Sequence, residues 1–253
     1  MNRPFEPTDA RRRAGKPRDD GVPDTDRGSG RMTWRTSASA AKPRASDTAY
    51  EQLLSQILDL RLPPGSTINE HAVAAQLGLS RMPVHEAVAR LAADRLVTVL
   101  PRRASVVTDI RPQDALDMFD AREAIECGVA HVAARRATDE DLAILRTLIE
   151  AAERARKDTD HLRYLRQDHD IHYFLVHMVP NALLQDAADR LLMNNLRFWR
   201  SYWSGQPPRQ VTMISHANLL AALEARDPER AERAMRSHIR LSLELVPPIV
   251  QRD

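Results

Sequence analysis

The sequence has little of what an exported or membrane-bound protein needs. Its single cysteine, Cys127, excludes an internal disulfide, which is typical of a reducing compartment. No apolar run approaches the roughly 18 to 20 residues that cross a bilayer, and the N-terminus has no hydrophobic signal segment. We therefore expect a cytoplasmic protein without membrane contact.

Charge is spread unevenly along the chain. The 253 residues, 43% of them hydrophobic, are enough to fill two cores and leave a tail. The net charge is +2, yet residues 1–46 hold eleven basic against six acidic side chains, a balance of +5. This segment is rich in Pro, Gly and Ser and has no apolar periodicity, so we predict a disordered basic tail. It could add nonspecific DNA affinity, but we favour a solvated extension.

A helix-turn-helix pattern follows this tail. Residues 70–77 have the apolar spacing of a short amphipathic helix, and Gly78-Leu79-Ser80 is a tight turn. Ser80 suits an N-cap and Pro83 suits a first helical turn, where its missing N–H costs nothing. The pattern predicts a second helix that presents Arg81 to a DNA groove.

Two β-rich runs and an earlier helix complete this predicted domain. Residues 96–100 and 105–108 flank Pro101-Arg102-Arg103-Ala104, which predicts a hairpin with both arginines at its tip. Such a hairpin can hold the phosphates beside the groove. An apolar stripe at 53–58 predicts a first helix that covers the other two, and we expect ordered structure from Asp47.

Beyond Arg111-Pro112 the pattern becomes almost wholly helical. We predict six helices, at about 112–136, from Thr138 with a capping box to Asp141, at 161–178, 182–203 and 209–225, and from Asp227-Pro228 onward. No plausible strand interrupts them. The predicted fold is mainly α, with an N-terminal winged helix-turn-helix at 47–110 and a C-terminal antiparallel all-α helical bundle at 111–253.

Four side chains of this bundle could converge on a metal ion. Asp168 and His172 are four residues apart and share one helix face. His216 and His238 lie on the fifth and sixth predicted helices, which a short turn makes antiparallel neighbours. One carboxylate and three imidazoles suit a divalent ion such as Zn²⁺ or Ni²⁺. Packing could equally place the four groups on different faces.

Short motifs at fixed offsets run through residues 64–103. They are Pro64-Gly65-Ser66, Asn69-Glu70, Leu77-Gly78-Leu79-Ser80-Arg81, Pro83-Val84, Glu86-Ala87 and Pro101-Arg102-Arg103. Together they resemble the winged-helix domain of GntR-family bacterial transcription regulators. The resemblance implies DNA contacts by Ser80, Arg81, Arg102 and Arg103. His85 stands where the family usually has a second arginine, and His71 stands where a basic residue often assists DNA binding. Arg95 and Ala104 stand at positions where the family commonly has glycine.

A second set of motifs extends from about residue 120 to 245. They are Arg122-Glu123-Ala124-Ile125-Glu126, Asp168-His169-Asp170-Ile171-His172, Pro180-Asn181, Ser215-His216 and Met235-Arg236-Ser237-His238-Ile239. They resemble the ligand-binding FCD domain in the fatty-acid-regulator branch of the same family. The resemblance implies a metal held by Asp168, His172, His216 and His238, with a small carboxylate effector bound beside it. Ser215 departs from the acidic residue often found there.

Three polar side chains are candidates for binding this effector. Arg122 can meet an anion bidentately, or it can pair with Glu126 one helical turn away on the surface. We predict that Asn194 and Arg197, on the fourth helix of the bundle, reach the bundle interior.

Other side chains near these motifs are assigned no site. His169 and Asp170 are expected to point away from the shared face of Asp168 and His172, into solvent. The aromatic run Phe198, Trp199, Tyr202 and Trp203 is interpreted first as core or interface packing and second as pocket wall.

These patterns predict a regulator that binds an operator in double-stranded DNA and senses a small organic acid near a metal. We expect a homodimer, because one recognition helix reads only a few base pairs. We do not expect an enzyme, since no unassigned Glu or His is placed as a general base. The alternatives are a metal-dependent hydrolase or isomerase with a DNA-binding-like domain, and a regulator whose bundle binds its ligand without metal.

Overall fold

The computed structural model describes residues 43–100, 104–205 and 213–246. Within these ranges the elements follow one another as α1 (Ala45–Leu58), β1 (Thr67–Ile68), α2 (Glu70–Leu77), α3 (Arg81–Ala93), β2 (Val97–Thr98), β3 (Ser105–Val107), α4 (Pro112–Arg136), α5 (Asp139–Lys157), α6 (His161–His177), α7 (Ala182–Gly205), α8 (Ala217–Glu224) and α9 (Pro228–Glu244). Residues 45–107 are here named the head and residues 112–244 the bundle. The mainly α fold with these two parts agrees with the prediction.

The head is organised around the predicted helix pair. Asn69 caps α2 by accepting hydrogen bonds from the N–H groups of His71 and Ala72, at 3.0 and 3.1 Å. Gly78 ends α2 at φ +65°, a left-handed conformation that glycine adopts without a steric penalty. Because the turn is this tight, α3 starts at Arg81 with Ser80 as its N-cap residue, as predicted.

A small antiparallel sheet follows the helix pair. Strand β3 lies between the other two, paired with β1 at Thr67↔Val106 and with β2 at Val97↔Val107. β1 was not predicted, because two residues are too short to show a periodic pattern, and β2 and β3 are shorter than the predicted runs. The predicted hairpin tip with Arg102 and Arg103 lies outside the described residues.

The bundle is built around α4, which packs against α6, α7, α8 and α9. Thr138 and Asp141 form the predicted capping box at the start of α5, with reciprocal hydrogen bonds of 3.1 and 2.8 Å. Asp227 caps α9 with Pro228 in its first turn, also as predicted. Within the described residues no helix is both long enough and apolar enough to cross a membrane.

One predicted helix boundary was wrong. The fifth helix of the bundle, α8, begins at Ala217 rather than near residue 209, and the segment 213–216 is not helical. The carbonyl of Ile214 accepts a hydrogen bond from the Tyr164 hydroxyl, and the Ser215 hydroxyl accepts one from the Ala217 N–H, so local contacts replace the helical pattern. At the N-terminus α1 begins at Ala45, close to the start expected near Asp47, and residues 1–42 of the predicted tail lie outside the described residues.

Helix α7 is the main connection between the bundle and the head. Its Asn194 side chain donates to the carbonyl oxygen of Asp94 at 3.2 Å, and Arg200 donates to the carbonyl oxygen of Leu58 at 2.9 Å. Phe198 and Trp199, from the aromatic run at the end of α7, pack edge-on against Phe119 of α4, in agreement with the packing interpretation. The head is therefore attached to a helix that also belongs to the bundle core.

Candidate metal centre and DNA-contact residues

The structure brings the four predicted metal ligands together. Asp168 and His172 lie on one face of α6, His238 lies on α9, and His216 is the N-cap residue of α8 rather than a residue within that helix. Each residue offers one ligand atom, and these four atoms all lie within 4.8 Å of one another. All four side chains are buried. No other group of this kind is found among the described residues.

Five of the six distances between ligand atoms are close to those of a tetrahedral metal site. Nε2 of His172 lies 3.2 Å from Nε2 of both His216 and His238. Oδ1 of Asp168 lies 3.5 to 3.9 Å from the three imidazole nitrogens. A tetrahedral Zn²⁺ with bonds of about 2.0 to 2.1 Å needs ligand atoms about 3.3 Å apart. Small adjustments are sufficient for the donor set to hold an ion.

Burial keeps two of the three imidazoles, those of His216 and His238, in the form that binds metals. It lowers the pKa of His216 to about 4, against the attraction of the Asp168 charge. Burial and the neighbouring imidazoles also place the pKa of His238 well below its usual range. A metal ligand must be a neutral imidazole with a free nitrogen lone pair. The centre therefore needs no proton release from these two side chains at neutral pH.

Arg122 lies in a buried network that touches the predicted ligands. Its Nε donates to Oε1 of Glu126 at 2.6 Å, and its Nη1 donates to Oδ1 of Asn195 at 3.1 Å. The other oxygen of Glu126 lies 2.5 Å from Nδ1 of His172. The interpretation as a surface pair was right about the partner and wrong about the location, because both side chains are only 1% exposed.

This network sets the charge of Glu126. Burial alone raises the pKa of this carboxyl, but its electrostatic and hydrogen-bonding interactions, above all those with Arg122, lower it to about 2. The ionised carboxylate can then orient the ring of His172 through Nδ1, leaving Nε2 for a metal. Glu126 appeared in the sequence analysis as the i,i+4 partner of Arg122, but no local signal connects it with a histidine far along the chain.

Two further residues around the centre differ from expectation. His169 is 2% exposed instead of solvated, and burial lowers its pKa to about 3. The sequence analysis did not identify Tyr164, whose hydroxyl lies 3.3 Å from Oδ1 of Asp168. Helical spacing places Tyr164 on the same face as Asp168, which is the signal that could have identified it.

Asn194 and Arg197 do not reach the bundle interior, so that prediction was wrong. Arg197 donates through Nη1 to Oγ1 of Thr108 at 2.7 Å and through Nη2 to the carbonyl oxygen of the same residue. Asn194 contacts Asp94 as described above. Both side chains point toward the head because their face of α7 lies at the domain junction. Asn195, the residue after Asn194, lies on another face of α7 and contacts Arg122.

The candidate DNA-contact residues lie on the outer face of the helix pair. Arg81 and His85 are one turn apart on α3, and their side chains are 63% and 58% exposed. Oε2 of Glu70 lies 3.8 Å from Nε of Arg81 and 3.3 Å from Nδ1 of His85. His71 and Ser80 are also exposed. Glu70 thus holds two of these candidates in one surface cluster.

Comparison with known proteins identifies both parts of the chain. Residues 45–107 match the family model described as "Bacterial regulatory proteins, gntR family", and residues 117–241 match the FCD domain. An uncharacterized HTH-type transcriptional regulator from Agrobacterium vitis is 34% identical over 131 residues, covering 51% of this chain and 77% of that protein. This chain belongs to the GntR family.

Two other proteins match this chain over nearly their whole length. The HTH-type transcriptional repressor RspR of Escherichia coli (strain K12) is 28% identical over 88% of this chain and 97% of its own. The solved structure of E. coli McbR/YncC has a TM-score of 0.71 at 21% identity, covering 83% of this chain and 98% of its own, and supports the fold. Because the matching families and relatives are transcription regulators and not enzymes, the hydrolase or isomerase alternative is not retained.

Proposed function

We propose that this GntR regulator holds a divalent metal, Zn²⁺ or Ni²⁺, at Asp168, His172, His216 and His238. The observation that carries the proposal is the convergence of three buried imidazole nitrogens on one carboxylate oxygen. A hydrogen-bonded histidine cluster is the metal-free alternative, since 3.2 Å also fits one imidazole donating to another. The oxygen of Glu126 beside Nδ1 of His172 favours the metal, because metal-bound histidines commonly have such a partner.

We further propose that a small carboxylate effector binds beside the metal. Because four protein ligands already surround the ion, the carboxylate would take an additional coordination position, where the metal would supply a Lewis-acid contact. Arg122 remains the candidate anchor, although its Nε and Nη2 already donate to Glu126 and its Nη1 donates to Asn195. A carboxylate effector would therefore have to replace Asn195 as the acceptor for Nη1. An effector that binds Arg122 therefore alters the hydrogen bond between Arg122 and Asn195. This change would shift α7, which contacts the head.

The remaining parts of the proposal concern DNA binding. We infer a boundary between the two domains at residues 108–111 and a winged hairpin formed by β2 and β3. We also infer a cytoplasmic homodimer that binds two half-sites of an operator. The support is one exposed recognition helix per chain, because a single helix reads only a few base pairs. Arg81, His85, His71 and Ser80 are the proposed contacts on the helix pair, and Arg102 and Arg103 those at the hairpin tip.

Effector and operator should affect each other's binding by the same factor. Coupling free energies between sites are typically about 1 to 3 kcal/mol and are reciprocal. The operator is first selected from a random duplex library, and its affinity is then measured with and without each of a panel of small mono- and dicarboxylates. A carboxylate that changes operator affinity of the zinc-loaded protein but not of a demonstrably metal-free His216→Ala/His238→Ala protein supports the proposal. An equal response in both proteins contradicts the metal-linked mechanism.

Replacing Arg81 by alanine should remove operator selectivity. A recognition-helix arginine that contacts guanine contributes about 1 to 3 kcal/mol of discrimination, so specific binding should weaken about 10- to 100-fold while random duplex is affected little. Arg102→Ala and Arg103→Ala serve as matched controls, since loss of a phosphate contact weakens both duplexes alike and reduces the salt dependence. The measurement is titration of both duplexes at several salt concentrations. An equal loss for both duplexes with Arg81→Ala would exclude the base contact.

A further inference from the structure

A cleft of about 810 Å³ lies where the head meets the bundle. Its walls come from the end of α3, strand β2, the first half of α4 and the middle of α7. Small-molecule sites usually measure about 300 to 1,000 Å³, so the cleft has a suitable size. None of the four candidate metal ligands lines it. It is therefore separate from the metal centre.

Three guanidinium groups of the cleft have no acidic partner. Within the described residues, no carboxylate oxygen lies within 4.0 Å of a side-chain nitrogen of Arg95, Arg190 or Arg197. Arg190 donates to a backbone carbonyl at 3.1 Å, and Arg197 donates to both oxygens of Thr108. Arg197 is nevertheless 2% exposed. A buried cation that only neutral oxygens contact is costly, and an anion nearby would lower that cost.

The acidic groups of the same cleft are already held by protein donors. Asp94, Asp114 and Asp117 accept hydrogen bonds of 2.6 to 2.9 Å from Tyr50, Arg111 and Gln113 respectively. Asp109 is exposed to water. Burial also lowers the pKa of Arg197 to about 10, although Asp109 and Asp114 act in the opposite direction. Four carboxylates and four guanidinium groups line the cleft, and Arg197 differs from the others because it is a buried charge that only neutral oxygens contact.

The rest of the wall is apolar. Met118, Ile125, Leu191 and Phe198 line the cleft between the charged groups. We propose that the cleft binds a small organic acid with an apolar body, whose carboxylate faces Arg197 and whose body lies against these side chains. The ligand touches α3 and β2 of the head and α4 and α7 of the bundle. Its binding favours the arrangement in which the head rests on α7, independently of any ligand at the metal centre.

The test is calorimetric titration of the full-length protein with octanoate, with octanamide as the neutral ligand of equal size. Octanoate should bind saturably and at least about tenfold more tightly than octanamide, because a charge-assisted hydrogen bond to a guanidinium is lost with the amide. Arg197→Gln removes the cation. Ala93→Trp, at an exposed position on the wall, fills the cleft and leaves Arg197 in place. Each substitution should weaken octanoate about tenfold or more.

His238→Ala separates this site from the metal centre and should leave octanoate affinity unchanged. The proposal is overturned if octanoate does not bind saturably or if octanamide binds equally well. It is also overturned if Arg197→Gln or Ala93→Trp leaves the affinity unchanged. Loss of octanoate binding in His238→Ala would assign the acid to the metal centre instead. Circular dichroism and the melting temperature of each variant check that it is folded.

Discussion

Replacing His216 and His238 by alanine should remove bound zinc and lower the melting temperature in one step. Metal that binds only the folded state stabilises it by about 3 to 4 kcal/mol when free metal is 100 to 1,000 times its dissociation constant. For a chain of this size that corresponds to roughly 6 to 16 °C. The measurements are metal content by mass spectrometry and thermal unfolding with and without added Zn²⁺.

A chelator separates loss of metal from loss of packing. Wild-type protein stripped of zinc should lose most of this stabilisation and regain it when zinc is restored, while the double variant responds to neither treatment. His131→Ala is the matched control, because His131 is a half-buried histidine of α4 that pairs with Glu232 outside the ligand set. It should keep its zinc. Full zinc content in the double variant would show that these side chains are not the ligands.

Breaking the buried pair between Arg122 and Glu126 should strongly lower the free energy of unfolding. Arg122→Met leaves an ionisable carboxyl buried without its cation, and removal of one partner of such a pair costs about 3 to 5 kcal/mol. The pKa of Glu126, which its partners hold at about 2, should rise because burial then prevails. The measurement is denaturant unfolding of the metal-free protein, so that changes in zinc affinity do not enter.

A double variant tests whether the cost comes from the unpaired charge. Arg122→Met/Glu126→Leu replaces both partners by apolar side chains of similar size, and such replacements are often neutral or stabilising. It should recover most of the stability that Arg122→Met loses. Arg236→Met is the surface control, since Arg236 of α9 pairs with Glu123 of α4 but is 35% exposed, and it should cost far less than Arg122→Met. A loss in Arg122→Met no greater than that in Arg236→Met would refute the role of the buried pair.

Much of the fold followed from the sequence because its signals are local. The turn at Gly78, the capping box at Thr138 and the cap at Asp227 each depend on residues within a few positions of one another. Two of the four proposed metal ligands were predictable for the same reason, since Asp168 and His172 are one helical turn apart on α6. The other two histidines needed the pairing of helices, which a short turn between α8 and α9 made predictable.

The rest depends on tertiary contacts that leave no periodic pattern. Strand β1 exists only because β3 pairs with it, and the start of α8 is displaced by a hydrogen bond from Tyr164 on α6. Helical spacing alone could not decide which side of α7 faces inward, because α7 is covered on both sides. Asn194 and Asn195 are neighbours in the chain, yet the first contacts the head and the second contacts Arg122.

The contacts between α7 and the head have a consequence for how such regulators acquire new DNA targets. Asn194 and Arg200 donate to main-chain carbonyls of the head, at Asp94 and Leu58, and Arg197 donates to the carbonyl of Thr108, the residue after the head. Every amino acid supplies that acceptor, so these three hydrogen bonds do not depend on which side chains lie at those positions. Only the additional contacts of Arg197 with the Thr108 hydroxyl and of Arg200 with the Asp59 carboxylate do. Mutations that change which operator sequence the head recognises can therefore accumulate while its contacts with the bundle are preserved. Grafting a head from another regulator onto this bundle requires the same backbone path and few matched side chains.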